Sequence, residues 1–426
     1  MKILLKTLCF ILLLACISLQ SCRQKTLNKK TVLAIPVYGQ SLALGEEAIR
    51  ITDFDSLSKQ THHLVRTENL DEDFGYFSDS RFKQWAKKVL NDRRRAFELS
   101  IYGMSEILAR YIVDKGHGDS LLICTFPGGQ GATSIVDMSK GSKAYLKFLG
   151  EIKDAYQEAK SKDWDFIVPA YCWMQGEDDI VWKKSPDYKR DLKQFQTDLN
   201  HDIKAITKQK QDVKCIVYQT NCLTLSKEFK ATNFNGYETS VPQAQLELIR
   251  DDSLFMAMGP TYPYSFVDER VHIDGLSQKR IGYLAGLSAV RLLESKPSKG
   301  LIPEGLRVSR DTIILNFNIP SPPLVLDTTA VSKAANYGFS VINPSNRDIL
   351  QKVILTGQSV KLICNESPVG CKARYAVNGI QKKSGHVSGP RGNLRDSQGD
   401  KLKANIRKTE YPLHNWCYQF DILVRF

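Results

Sequence analysis

Val32-Leu33-Ala34-Ile35-Pro36-Val37-Tyr38-Gly39-Gln40-Ser41 is an apolar run that ends in a glycine turn carrying a serine. Short apolar runs of the same kind recur at 121–126, 166–172, 214–218 and 254–258, and segments of helical periodicity separate them. That alternation is the pattern of a parallel sheet with both faces covered by helices. The clearest helix spans 186–206, where Tyr188, Leu192, Phe195, Leu199, Ile203 and Ile206 recur at steps of three and four. Such a stripe faces a core, with Ser185 placed to cap it and Pro186 suited to its first turn. Further helices are expected at 104–113, 143–159, 242–250 and 277–293. The reading is a three-layer α/β/α domain with a parallel sheet over residues 31–295.

Outward from this block the texture changes. Residues 296–302 are polar, with Pro297 and Gly300, and read as a linker. Beyond them, short β-branched runs at 312–317, 324–326, 353–355, 360–363 and 420–424 predict a small all-β domain over 303–426. In the other direction, Lys2 and Lys6 precede an apolar run at 8–19 that is too short for a spanning helix and reads as an export signal within 1–22. Leu13-Leu14-Ala15-Cys16 and Leu19-Gln20-Ser21-Cys22 look like the lipobox of bacterial lipoproteins. Cys22 is better placed, because polar sequence, a linker at 23–30, begins directly after it; a plain cleaved signal is the alternative. The expected location is across the inner membrane, in the periplasm or on the outer membrane through a lipid anchor. Residues 51–95 are charged and aromatic and read as a long insertion.

The 426 residues are 42% hydrophobic and 25% charged, a globular composition long enough for two domains. The net charge is +13, and from Gly300 onward 17 Lys and Arg face 9 Asp and Glu, so most of the excess lies in the β domain. Arg391, Arg395 and Lys401, with the edge His414-Asn415-Trp416-Cys417-Tyr418, could suit an acidic sugar, although solvated charge around a buried Trp416 is the plainer reading. No nucleic-acid partner is expected. Past Cys22 the cysteines are 124, 172, 215, 222, 364, 371 and 417; none makes a zinc pattern. Cys364 and Cys371 flank a turn and could pair, whereas Cys124 and Cys172 read as buried thiols.

Four blocks carry chemistry. In Tyr38-Gly39-Gln40-Ser41 the serine follows the first strand, at the carboxyl edge where open parallel sheets bind ligands. Gly39 permits the turn, and the Ser41 amide can face an oxyanion. A second such turn, Gly357-Gln358-Ser359, leads into a strand and reads as a hairpin. Pro127-Gly128-Gly129-Gln130-Gly131 follows the second strand; its small residues bring backbone N–H groups close to a ligand, and no Gly-Lys-Ser/Thr follows to make a nucleotide loop. Trp173-Met174-Gln175-Gly176-Glu177-Asp178-Asp179 ends the third strand, where Gln175 can donate to an oxyanion with Glu177 and Asp179 available to orient it. Finally, Asp268-Glu269-Arg270-Val271-His272 puts two carboxylates four and three places before a histidine that could act as base.

Together these blocks resemble the SGNH hydrolases, in particular the sialate O-acetylesterase-like branch and carbohydrate esterase family six. The Trp-x-Gln-Gly-Glu-x-Asp block is matched throughout by Trp173 to Asp179. The resemblance implies Ser41 as nucleophile, His272 as base, and an oxyanion hole from the amides of Ser41 and Gly131 with the Gln175 side chain. Leu42 departs from the branch, which commonly has Asn there. The acid of the branch usually stands two or three places before the histidine, but Arg270 occupies the first of these positions and Glu269 the second, while Asp268 is four away; either Glu269 serves as the acid or a local bend brings Asp268 into place. The implied activity is removal of O-acetyl groups from carbohydrate through an acetyl-enzyme, with no metal or organic cofactor. A lipase or thioesterase of the wider group and a non-catalytic glycan-binding surface lipoprotein are the competing readings.

Overall fold

A computed structural model describes residues 30–52, 97–117, 120–182, 184–226 and 239–425. The leader with Cys16 and Cys22, the linker up to residue 29, and the expected insertion from residue 53 onward lie outside the described residues.

Five parallel strand tracks build the first half. The first is Thr31–Ala34 (β1) and Val37–Gly39 (β2); the second is Leu121–Cys124 (β3) and Pro127–Gly129 (β4); the third is Asp165–Ile167 (β5) and Ala170–Met174 (β6). Each break falls at a proline (Pro36, Pro127 or Pro169), which has no N–H to give to the ladder. Pairing nonetheless continues across the breaks, with the Ile35 amide on the Cys124 carbonyl at 2.9 Å and the Cys172 amide on the Pro36 carbonyl at 2.8 Å. Lys214–Gln219 (β7) and Phe255–Pro260 (β8) complete the sheet, whose order is β4-β2-β6-β7-β8. This is the flavodoxin-like order, and its reversal point lies beside β2, where ligand crevices form.

Helices Ser100–Asp114 (α1) and Gly275–Leu293 (α7) pack against each other. Ile135–Met138 (α2) and Glu177–Trp182 (α4) are short turns at the carboxyl edge, while Lys143–Ser161 (α3), Tyr188–Thr207 (α5) and Ser240–Asp251 (α6) form a second helical layer. The start of α5 differs from the sequence reading. Its cap is Asp187, which accepts the Arg190 amide at 3.0 Å, whereas the Ser185 hydroxyl turns to Asp191 at 2.8 Å. A carboxylate one residue before the helix outcompetes the more distant hydroxyl for the free N–H groups.

After α7 the chain is almost entirely antiparallel β. A four-stranded sheet joins Ile302–Ser309 (β9), Thr312–Asn318 (β10), Leu350–Thr356 (β13) and Ser359–Cys364 (β14) in the order β13-β14-β10-β9. A second sheet orders Phe339–Ile342 (β12), Lys372–Tyr375 (β15) and Phe420–Leu423 (β17) as β12-β15-β17, and Val325–Leu326 (β11) pairs with Leu394–Arg395 (β16). Gly357-Gln358 is the two-residue turn of the β13–β14 hairpin, in which Thr356 faces Ser359.

Residues 296–302 do not behave as a free linker. The Ala257 amide donates to the Ser298 carbonyl at 2.6 Å, and Leu301 is buried and bridged to Cys417. The two regions also share a core. Tyr262 packs edge-on against Tyr375 and Trp416 and donates to the Cys417 carbonyl at 2.9 Å, and Gln219 and Gln419 exchange side-chain and backbone hydrogen bonds across the seam.

Candidate active site

The β2 turn presents Ser41, which is nearly buried. Beyond it the chain coils tightly: the Ala43 amide bonds the Gln40 carbonyl, and the Leu44 and Glu46 amides both reach the Ser41 carbonyl. The coil then turns at Gly45 and Glu47, both with left-handed φ. Its folding returns Glu47 toward the serine six residues earlier. On the facing loop, Phe266 bridges Ile273, the Val267 amide donates to the His272 carbonyl at 2.6 Å, and Asp274 caps α7 through the Ser277 amide at 2.8 Å. This narrow loop places His272 between two partners. Its Nε2 lies 2.8 Å from Ser41 Oγ, and its Nδ1 lies 2.8 Å from Glu47 Oε2. With the carboxylate accepting from Nδ1–H, Nε2 is left as an acceptor for the serine proton, the tautomer that a serine–histidine relay needs.

The structure thus brings Ser41 and His272 together and corrects the acid. Neither Asp268 nor Glu269 is on Nδ1; Glu47 is. Both expected acids sit at left-handed φ, 55° and 52°. The turn directs Glu269 away from His272 to Ser388 Oγ, at 2.5 Å, and to the Lys383 ammonium, while Asp268 is exposed. Glu47 is far from the histidine in sequence, 225 residues before it. Its only signal in sequence is the Gly45-Glu46-Glu47 turn soon after the serine.

A second correction concerns Gln175. Its side chain is 0% exposed, and both amide hydrogens are engaged, by the Thr133 carbonyl at 3.2 Å and Asp179 Oδ2 at 2.6 Å. Its carbonyl oxygen accepts from Tyr188 at 2.9 Å. No amide hydrogen is left for an oxyanion, so Gln175 acts here as a buried tie between the second and third strand-edge loops. Asp179 extends the tie by accepting the Ile135 and Ser185 amides, and burial pushes its carboxyl above the ordinary range. Glu177, expected to orient Gln175, faces Tyr218 and Thr220 instead, at 2.5 and 2.6 Å; burial raises its carboxyl, and it lies within electrostatic range of His272. Gln40 accepts the Gly176 and Asp178 amides, both at 3.3 Å, and so fixes the start of α4.

Backbone amides of the same loops remain free: among the described residues, the Ser41 and Gly131 amides are not committed to another backbone carbonyl. Gly129 has φ 122°, and a Cβ there would come within 1.7 Å of the Gly39 carbonyl oxygen, so the glycines of both loops allow the backbones to meet. Leu42, at the position where Asn is common, is buried in the core, and its carbonyl accepts from Gln278 at 2.7 Å. Among the described residues no cluster of metal-binding side chains occurs, and no helix is long and apolar enough to cross a membrane.

The basic surface of the β region does not assemble into a sugar site from the residues expected. Arg395 is committed to Asp327 at 2.7 Å, Arg391 donates to the Ser332 and Gly389 carbonyls, and Trp416 is 5% exposed. Cys364 and Cys371 are free thiols in the structure, as are the other five described cysteines.

Residues 85–285 match the family model of carbohydrate esterase, sialic acid-specific acetylesterase. That stretch is similar to this family. The matched stretch contains Gly131, Gln175 and His272, while Ser41 and Glu47 lie upstream of it. Among solved structures, a carbohydrate acetylesterase from Xanthomonas citri superposes with TM-score 0.53 at 12% identity, covering 92% of this chain and 80% of that one. This shared fold extends over the β region as well as the esterase domain. A protein from Arabidopsis thaliana matches at TM-score 0.39 and 14% identity, over 62% of this chain and 98% of that one. A carbohydrate acetylesterase from Sinorhizobium meliloti matches at 0.31 and 14%, over 62% of this chain and 100% of that one. No curated protein matches the sequence.

Proposed function

We propose that this esterase removes O-acetyl groups from carbohydrate through an acetyl-enzyme on Ser41, with His272 as general base and Glu47 as the carboxylate that orients it. One observation carries the reading: the continuous contact Ser41 Oγ to His272 Nε2 to Glu47 Oε2, 2.8 Å at each step, at the carboxyl edge of a carbohydrate esterase domain. In the first half-reaction Nε2 takes the serine proton as Oγ bonds to the acetyl carbonyl carbon. Negative charge on the former carbonyl oxygen is met by the amides of Ser41 and Gly131. The intermediate collapses when His272 returns the proton to the departing sugar oxygen. Water then gives one proton to Nε2 as its oxygen adds to the acetyl carbon, and the second intermediate breaks its bond to Ser41 Oγ, which takes that proton back from His272 as acetic acid leaves. Glu47 balances the imidazolium formed in each half.

The sequence also supports export, with Cys22 as the lipidation site that anchors the enzyme to a membrane. A Cys22→Ala variant that still partitions with membranes would remove that part. The activity is tested by acetate release from acetylated polysaccharide, together with p-nitrophenyl esters of increasing acyl length. The expected outcome is highest kcat/KM on acetate and a steep fall by octanoate. A preference for long acyl chains would instead make the enzyme a lipase.

A further inference from the structure

The β region reaches the base loop at one residue. Glu269, three positions before His272, is held at three atoms by a single segment of the β region. Its Oε1 accepts from Ser388 Oγ at 2.5 Å, its Oε2 pairs with the Lys383 ammonium, and its backbone carbonyl accepts the Ser384 amide at 2.6 Å. Lys383 first, then Ser388, hold this carboxyl below its ordinary range. The segment is itself fastened to the turn that follows β7. Thr224 Oγ1 donates to the Lys383 carbonyl at 2.5 Å, the buried Asn221 accepts the Gly385 amide at 2.9 Å, and Asn221 Nδ2 donates to the Pro390 carbonyl at 2.7 Å. The His386 amide reaches the Tyr264 carbonyl at 3.3 Å. Residues 382–390 therefore join the loop after β7 to the loop that carries the base.

The base loop needs outside support. Asp268 and Glu269 both hold left-handed φ, a conformation that is unfavourable for a residue with a Cβ. The loop's inner bonds, Val267 amide to His272 carbonyl and the Phe266–Ile273 bridge, couple any movement of residues 267–269 directly to His272. Misplacement of a reacting group by about 1 Å can cost on the order of a hundredfold in rate.

We propose that Glu269, clasped by Lys383, Ser384 and Ser388, is a positioning residue that holds His272 in register with Ser41, so that the β region is a working part of the catalytic centre. The inference rests on His272 being the base. The carboxylate three places before the histidine is then put to a mechanical use, while Glu47 supplies the carboxylate that orients His272.

The test uses the full chain and four variants, Lys383→Met, Ser388→Ala, Glu269→Gln and His272→Ala, assayed on p-nitrophenyl acetate with thermal unfolding in parallel. Lys383→Met alters a half-exposed side chain and Ser388→Ala removes one buried hydroxyl, and both leave the Asn221 and Gln219 contacts intact, so folding is retained if Glu269→Gln proves unstable. The expected result is a kcat about 10-fold to 100-fold lower in Lys383→Met and Glu269→Gln, KM within about twofold of wild type, and little change in melting temperature. The reversed pair Lys383→Glu with Glu269→Lys should recover part of the kcat lost by either single reversal. Wild-type kcat in both Lys383→Met and Ser388→Ala, with His272→Ala inactive, overturns the clasp and leaves the proposed function standing. An active His272→Ala overturns the proposed function itself.

Discussion

Replacing Glu47 by glutamine removes one negative charge from His272 Nδ1 while leaving an amide oxygen of similar reach to accept the N–H. The loss is therefore electrostatic, and its size follows from the exposure of the pair. With the charges about 4 Å apart, their attraction is about 1 kcal/mol in water and about 4 kcal/mol at the effective dielectric of a protein surface site. At about 1.4 kcal/mol per decade, these bounds correspond to roughly 5-fold and roughly 10³-fold in rate. The Glu47 side chain is 55% exposed and that of His272 18%, so the expected loss lies inside the bounds, at about 10²-fold in kcat. That is well short of the roughly 10⁴-fold typical when a triad aspartate is fully buried. The assay is kcat and KM on p-nitrophenyl acetate for Glu47→Gln, Glu47→Ala and Asp268→Asn. Glu47→Ala should be at least as impaired as Glu47→Gln, and Asp268→Asn should stay within about threefold of wild type. Wild-type kcat in Glu47→Gln, or a hundredfold loss in Asp268→Asn, would refute the assignment of Glu47 as the orienting acid.

Other substitutions probe the supporting parts. Gln175→Ala should lower the melting temperature as well as kcat, because it leaves the Thr133 carbonyl without its partner, at about 1–3 kcal/mol for a buried unpaired group, and removes one hydrogen bond each from Asp179 and Tyr188; a variant of wild-type stability with reduced kcat alone would restore Gln175 as an oxyanion donor. Ser359→Ala should be silent in the ester assay, since Ser359 closes a hairpin turn by donating to the Thr356 carbonyl at 3.1 Å; loss of activity there would mean that the wrong Gly-Gln-Ser turn was chosen. Removal of residues 300–426 should abolish activity even on small aryl acetates and yield aggregating protein, because it uncovers Tyr262 and Gln219; a soluble, active fragment would contradict the shared core. His414 is held neutral, its ring lowered from 6.5 to about 4 first by burial and then by the Arg395 guanidinium. Since the unfolded chain binds this proton at higher pH than the folded one, stability falls as pH drops from about 6.5 to about 4, by up to about 3 kcal/mol. The difference in unfolding free energy between wild type and His414→Gln should shrink over that window, and a difference that is flat with pH would show that His414 does not titrate this way.

The parts legible in the sequence were those encoded locally. Apolar runs alternating with amphipathic helices predict the parallel sheet, and helix α5 shows its core stripe in the steps from Tyr188 to Ile203. Because the sheet order puts β2, β4 and β6 side by side, motifs that merely follow three strands in sequence come to share one edge in space. The Gln40–Gly176 and Gln175–Thr133 contacts are of this kind. What could not be read depends on long-range packing. Glu47 reaches Nδ1 only because the coil from Ser41 to Glu47 folds back under the histidine loop. Whether Gln175 keeps a free N–H depends on Thr133, Asp179 and Tyr188, which lie on three other elements. Glu269, next to the histidine in sequence, is claimed by Lys383 and Ser388 more than a hundred residues away. The positive surplus of the β region likewise overstates its free charge, because Arg395 is paired internally with Asp327 and Arg374 with Asp421.

The central claim is that Ser41 is the nucleophile of a histidine-activated esterase, and covalent trapping tests it most directly. The full chain should be treated with a fluorophosphonate and its intact mass and peptide map compared with those of Ser41→Ala and His272→Ala. A single adduct on the peptide carrying Ser41, lost in Ser41→Ala, formed at least 10³-fold more slowly in His272→Ala, and accompanied by loss of ester hydrolysis in step with labelling, is the predicted result. Stoichiometric inactivation with the adduct on another residue, or full hydrolytic activity in Ser41→Ala, would contradict it.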